Sequence, residues 1–165
     1  MELVQAKVNY IFDGDTIVVQ TLDSSFIARA RWVDSPEVRK PRQRSTKPEM
    51  INHWEWGKRS HSALINLIAG QTITIIKHQL DIYGRTISDW YLGEVSLENC
   101  IQVQLARNGL VANSLPFQKY DFPNNDLELY IAILSACAVA KKNRLGFWSE
   151  PSFLLPYQLK KSQRS

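Results

Sequence analysis

The chain has 165 residues, 44% hydrophobic and 22% charged, which excludes a disordered or collagen-like polymer and suits one soluble domain with its own core. No run of about 18 apolar residues occurs, so neither a membrane-spanning helix nor a membrane partner is expected. The net charge of +4 is mild but uneven: residues 39–59 hold seven basic side chains against two acidic, while the remainder holds 13 against 14. A basic excess focused in one segment favours a polyanion as partner. The opening Met1-Glu2-Leu3-Val4 lacks the basic and apolar regions of a signal peptide, so an unprocessed chain is expected in the cytoplasm. Two widely separated cysteines, Cys100 and Cys137, offer no Cys-x-x-Cys metal or redox pair. They are expected inside helices as two buried thiols, with a single disulfide as the alternative. His53, His61 and His78 have no metal-ligand spacing and are expected to play surface or supporting roles.

In chain order, residues 3–12 are rich in Val, Ile, Tyr and Phe and predict a first strand, and 16–21 a second. Asp13-Gly14 between them is a hairpin signal, because glycine adopts positive φ without penalty. A turn over 23–25 leads to a third strand over 26–33. There Phe26, Ala28, Ala30 and Trp32 should face the core, with Ile27, Arg29, Arg31 and Val33 outward. Residues 38–54, with Pro36, Pro41 and Pro48 nearby, predict a long basic loop. A helix over 55–69, with Ala63, Leu64, Leu67 and Ile68 inward, stops at Gly70. Strands over 72–77 and 86–92 flank a turn at 81–85. Helices over 97–108 and 124–142 follow, the second with Leu127, Ile131, Leu134 and Ala138 on its inward stripe. Phe147-Trp148 is expected to fold back on the core. The fold class is α+β: a five-stranded OB-fold barrel with about three helices, as one domain over residues 1–150 and a C-terminal tail over 151–165. In an OB-fold the loops joining strands 1–2 and 4–5 flank the binding face. Here those are residues 13–15 and 78–85.

Both loops, and the end of the third strand between them, carry charges suited to a phosphodiester. Hydrolysis of such an ester needs a hard cation to neutralise the phosphate. Calcium takes oxygen ligands from carboxylates and carbonyls, and Asp15 and Asp34 stand at neighbouring strand ends. Negative charge gathers on the phosphoryl oxygens, which planar guanidinium groups match bidentately; Arg29 and Arg85 are placed to do this. Glu37, following the fixed turn at Pro36, is available to deprotonate the attacking water.

The runs Asp13-Gly14-Asp15-Thr16, Val33-Asp34-Ser35-Pro36-Glu37, Asp81-x-Tyr83-Gly84-Arg85, Ala106-Arg107-Asn108-Gly109-Leu110 and Phe147-Trp148-Ser149-Glu150, together with Arg29, resemble the staphylococcal nuclease (thermonuclease) family in order and spacing. The resemblance covers roughly residues 3–150 and implies an SNase-like domain. It implies Ca²⁺ held by the carboxylates of Asp15 and Asp34 and the backbone carbonyl of Ser35, where the family more often has threonine. It further implies a scissile phosphate gripped by Arg29 and Arg85, Glu37 as general base, and Tyr83 at the nucleotide pocket, with Tyr120 a looser candidate there. The implied protein is a monomeric endonuclease of low sequence specificity on DNA or RNA, leaving 3′-phosphate ends.

Each feature has a plainer reading. Asp15 can satisfy its turn, Asp34 can end a strand, and Arg85 can pair with Asp81 in an exposed ion pair worth under about 1 kcal/mol. The alternative for the whole chain is a catalytically silent OB module that binds nucleic acid or protein. Arg31 falls outside the family match and is expected to be structural or substrate-steering. Trp54 and Trp56 adjoin the basic loop, which is expected to close over nucleic acid with aromatic stacking; for Trp56, packing on the first helix is the preferred reading.

Overall fold

The computed structural model describes residues 2–114 and 124–162. Three strands open the chain as a meander: β1 (Glu2–Ile11), β2 (Thr16–Gln20) and β3 (Ser25–Ala30), paired antiparallel in sequence. After a short strand β4 (Val33–Asp34) comes helix α1 (Pro48–Ile68), then the hairpin of β5 (Thr72–Leu80) and β6 (Thr86–Tyr91). β6 lies parallel to β3 and β5 antiparallel to β1, which closes a five-stranded barrel in the order β1-β2-β3-β6-β5. Closure removes the unpaired edges that an open sheet would leave. Helices α2 (Ile101–Arg107) and α3 (Asn124–Lys142) follow, with β7 (Ala112–Asn113) between them pairing to β4. A 3-10 turn (Gly146–Ser149) and a fourth helix, α4 (Pro156–Ser162), complete the chain. This is the expected SNase-like OB-fold of the α+β class. No helix among the described residues is long and apolar enough to cross a membrane.

The inward rows of the barrel hold Ile17, Val19, Ala28, Ile73, Ile75 and Trp90, all buried, and α1 adds Leu64 and Ile68 to the same core. Each fully buried Ile or Leu contributes about 1.5–3 kcal/mol. A second, smaller cluster gathers Trp56, Ala112 and Phe147 with Phe153 and Leu155, so Phe147 does return to the body and residues beyond 151 pack there with it.

Several expectations need correction. The third strand stops at Ala30, because Trp32 has a positive φ of 66° and reverses the side-chain parity beyond it. Val33 is therefore buried rather than outward, and Trp32 is only half-buried. Helix α1 starts at Pro48, seven residues earlier than expected; proline suits a first helical turn, where its missing N–H is no loss. The basic loop is correspondingly shorter, and Trp54 and Trp56 lie on the helix, 7% and 6% exposed. Trp54 packs under the Arg39 guanidinium (5.5 Å), and Trp56 Nε1 donates to Glu150 (3.0 Å), so neither is placed to stack on a base. On α3 the inward stripe is Leu129, Ile133, Ala136, Cys137 and Ala140, while Leu127, Ile131, Leu134 and Ala138 are all exposed. Cys100 sits at the N-cap of α2 rather than inside it, and both cysteines are buried free thiols, not a disulfide.

Candidate active site

Asp15 stands where the β1–β2 hairpin returns into β2. Its backbone N–H binds Asp13 Oδ1 (3.0 Å), and its carbonyl accepts from Ala30 N (2.8 Å), tying the hairpin to the end of β3. The Asp-Gly turn works differently from the expectation. Gly14 is needed for close approach: a Cβ there would lie 2.8 Å from Ser35 Cβ and 2.9 Å from Ser60 Cβ. That space lets the 34–35 segment come in beside Asp15, whose Oδ2 accepts from Ser35 N at 2.6 Å.

Arg29 joins the pieces. Its Nη2 lies 3.2 Å from Asp15 and 3.1 Å from Asp34, and its Nη1 donates to the carbonyls of Ala30 and Val33 (2.7 and 3.0 Å). The turn at Trp32 brings those carbonyls to the guanidinium. Burial works against the charge, but Asp15, Asp34, Asp13 and Glu37 outweigh it and hold Arg29 above the ordinary arginine value. Asp13 shows how negative the corner is: burial first, and Asp15 next, push its carboxyl up to about 8.

Glu37 is placed from behind by α1. Its backbone N–H donates to His53 Nε2 (2.9 Å), so that nitrogen is an acceptor and Nδ1 carries the proton toward the Leu154 carbonyl (2.9 Å). Phe153 stacks flat on the same imidazole at 5.6 Å. One turn along the helix, Gly57 faces the Glu37 backbone so closely that a Cβ would meet the Glu37 carbonyl oxygen at 2.1 Å. His53, Gly57, Ser60 and His61 form one helical stripe whose polar members bind Glu37, Leu110 and Ile11. These residues were missed in the sequence; the signal available was small and polar residues at i, i+4, i+7 and i+8 where an apolar stripe would be expected.

Arg85 sits in the β5–β6 turn, held by Asp81, which accepts from Arg85 Nε and lies 2.7 Å from its Nη2. Burial raises the Asp81 carboxyl, but bonds from the backbone N–H and side chain of Arg85 and from Tyr83 N–H leave it below its ordinary value. Tyr83 is 69% exposed, with the Arg85 guanidinium 5.4 Å from its ring centre.

Asp15, Arg29, Glu37, Tyr83 and Arg85 line one cleft with a cavity volume of 1060 Å³, bordered by Arg39 and Lys40 of the basic loop. Asp34 and Ser35 do not line it; both are buried and join it through Arg29 and Asp15. Tyr120 lies outside the described residues. Arg31 turns away to a bidentate pair with buried Asp89 (2.9 and 2.6 Å), which also binds His78 Nε2 (2.8 Å). Breaking such a buried pair costs about 3–5 kcal/mol, a structural role. Among the described residues, no cluster of three or more His, Cys, Asp or Glu could hold a metal. The available donor set is two carboxylates and backbone oxygen, which suits a hard cation whose remaining ligands are water and substrate.

A family model described as Staphylococcal nuclease homologue matches residues 29–150. The chain belongs to the staphylococcal nuclease family. The matched range takes in Arg29, Asp34, Ser35, Glu37 and Arg85, while Asp15 precedes it and is tied to the site by its contacts with Arg29 and Ser35. Similar proteins include the "Micrococcal nuclease" of Shigella flexneri, 24% identical over 167 residues, covering 98% of this chain and 83% of that one. Two from Oryza sativa subsp. japonica are each named "Probable staphylococcal-like nuclease". CAN2 is 29% identical over 102 residues (62% of this chain) and CAN3 25% over 150 residues (88%). The chain spans only 22% and 31% of the length of these two rice proteins.

Proposed function

We propose that this protein is a Ca²⁺-dependent nuclease hydrolysing phosphodiester bonds of DNA or RNA with little sequence specificity. The observation that carries the reading is the meeting of Glu37, Arg29, Arg85 and Asp15 on one cleft, in a chain of the staphylococcal nuclease family. Asp15, Asp34 and the Ser35 carbonyl would hold the ion. When bound, it supplies Lewis-acid neutralisation of the phosphate charge.

Glu37 takes the proton from the water that attacks phosphorus. Arg29 stays anchored by its Nη1 bonds to the Ala30 and Val33 carbonyls and gives one Nη2 hydrogen to a phosphoryl oxygen in exchange for a bond to Asp15 or Asp34. Arg85 exchanges its partly exposed bond with Asp81 for a second phosphoryl oxygen; exposed pairs of this kind are worth under about 1 kcal/mol and are readily given up. Tyr83 flanks Arg85 at the nucleotide. Departure of the 5′ oxygen leaves a 3′-phosphate end.

The ion pairs that Arg29 makes with both Asp15 and Asp34 favour a second reading, a binding module without hydrolysis. Incubating plasmid DNA and RNA with the protein in Ca²⁺ and in excess chelator separates the two. Degradation in Ca²⁺ that stops with chelator is expected; binding without degradation in either condition establishes the silent module instead.

A further inference from the structure

The end of β1 and the residue after it carry two exposed aromatic rings beside the cleft, Tyr10 at 59% and Phe12 at 46% exposure. Strict alternation after buried Ala6 and Val8 would turn Tyr10 into the barrel. The register of β1 against β2 instead shifts between Val8 and Tyr10, so Asn9 and Tyr10 both face outward and Ile11 takes the inward place. Bulges commonly re-aim a side chain next to a functional site. This one brings Tyr10 into an edge-to-face contact with Phe12, with ring centres 5.0 Å apart and planes at 74°.

The two rings belong to a ledge continuous with the catalytic residues. Tyr10 pairs across to Val18, and Val18 to Ile27 on β3, which is 37% exposed. Ile27 and Arg29 share one face of β3, two residues apart, or about 7 Å. Tyr10, Phe12, Ile27 and Arg29 all line the same cleft, with Arg39 and Lys40. Exposed rings next to guanidinium and ammonium groups match an unpaired nucleobase on a polyanionic backbone, whereas bases in a duplex already have their faces covered by neighbours.

From this we infer that Tyr10 and Phe12 form a stacking ledge for the nucleobase adjoining the phosphate on Arg29. The inference rests on the nuclease reading for the position of the phosphate, and its test is a binding measurement that needs no cleavage. Fluorescence anisotropy in chelator compares a labelled single-stranded thymidine oligonucleotide with an abasic oligonucleotide of equal length. The proteins are the unaltered chain, Tyr10→Ala, Phe12→Ala and Tyr10→Trp; both sites are exposed, and circular dichroism checks the fold.

The unaltered protein should bind the base-bearing strand about tenfold or more tightly than the abasic one. Each alanine variant should lose most of that ratio, and Tyr10→Trp should keep it. Equal binding of the two strands by the unaltered protein, no binding at all, or alanine variants with the ratio intact would overturn the ledge. Cleavage of the same oligonucleotide by the unaltered protein in Ca²⁺ is scored separately. Base-dependent binding without cleavage leaves the ledge standing and removes the nuclease reading; cleavage without base dependence does the reverse.

Discussion

The carboxylate proposed as general base is held by its own backbone. Glu37 N–H needs an acceptor at that depth, and the only way His53 provides one is as a neutral ring with the proton on Nδ1, given to Leu154. A leucine at 53 keeps volume but leaves the amide without this acceptor, which costs about 1–3 kcal/mol when buried. A glutamine can present its amide oxygen near the Nε2 position. We expect His53→Leu to lower kcat by about 10–100-fold with little change in KM, because misplacing a catalytic group by an ångström has that effect. His53→Gln should recover most of the loss. Steady-state kinetics of both variants check this; equal kcat in Leu and Gln would mean the imidazole only fills space. Arg31 shows why residue type alone is a poor guide: it lies two residues after Arg29, just past the end of β3, yet buried Asp89 claims it.

At the level of elements, α1 is the wall against which the segment carrying the proposed base leans. Gly57 allows the Glu37 carbonyl to lie directly on the helix. An added methyl forces backbone to move, and overpacking of this kind costs about 1–3 kcal/mol. Gly57→Ala is therefore expected to lower Tm by several degrees and to reduce cleavage far more than stability alone explains. Rates measured well below the variant's Tm decide it; a rate within a factor of two of the parent would show that the segment tolerates displacement. The barrel strands were legible because they are runs rich in β-branched and aromatic residues bounded by turn signals, even though alternation breaks at the β1 bulge. The break at Trp32 was not, since a positive φ at tryptophan is imposed by tertiary packing and leaves no local signature. The inward face of α3 was also illegible: Leu127, Ile131 and Leu134 compete with Leu129, Ile133 and Cys137, and a helix apolar on several sides does not announce which one is covered.

Taken as a whole molecule, the segment that follows Pro151 packs into the scaffold. Phe153 stacks on both His53 and Phe147, and Leu159 is buried, so residues after 151 brace the back of the site. The apolar character of 153–155 was visible in the sequence; its destination on His53 was not, because nothing local links positions a hundred residues apart. The candidate residues stood out in the sequence more than their supports did. Charge and motif spacing picked out Asp15, Arg29, Asp34 and Glu37, whereas His53 and Gly57 matter through single close contacts.

Global stability should also carry the mark of the two buried thiols. Burial raises both from 9.0 to about 11. Between those values the folded state keeps protons that the unfolded state releases, so stability holds below about pH 9 and falls as pH rises toward 11. Each pKa unit is worth about 1.4 kcal/mol per group. Tm measured from pH 8 to 11 should fall more steeply in the parent than in a Cys100→Ala, Cys137→Ala double variant, even though the variant begins less stable. Parallel slopes would show that the thiols do not govern the alkaline limb.

The central claim is that the cleft between the β1–β2 hairpin and the β5–β6 turn hydrolyses phosphodiesters with Glu37 as its base. The most direct measurement is the single-turnover cleavage rate of one oligonucleotide in saturating Ca²⁺, for the parent and for Glu37→Gln, which preserves shape and removes the base. A positioned general base contributes about 10²–10⁴-fold. The account predicts a loss of at least about 100-fold with oligonucleotide affinity retained; a Glu37→Gln rate close to that of the parent would contradict it.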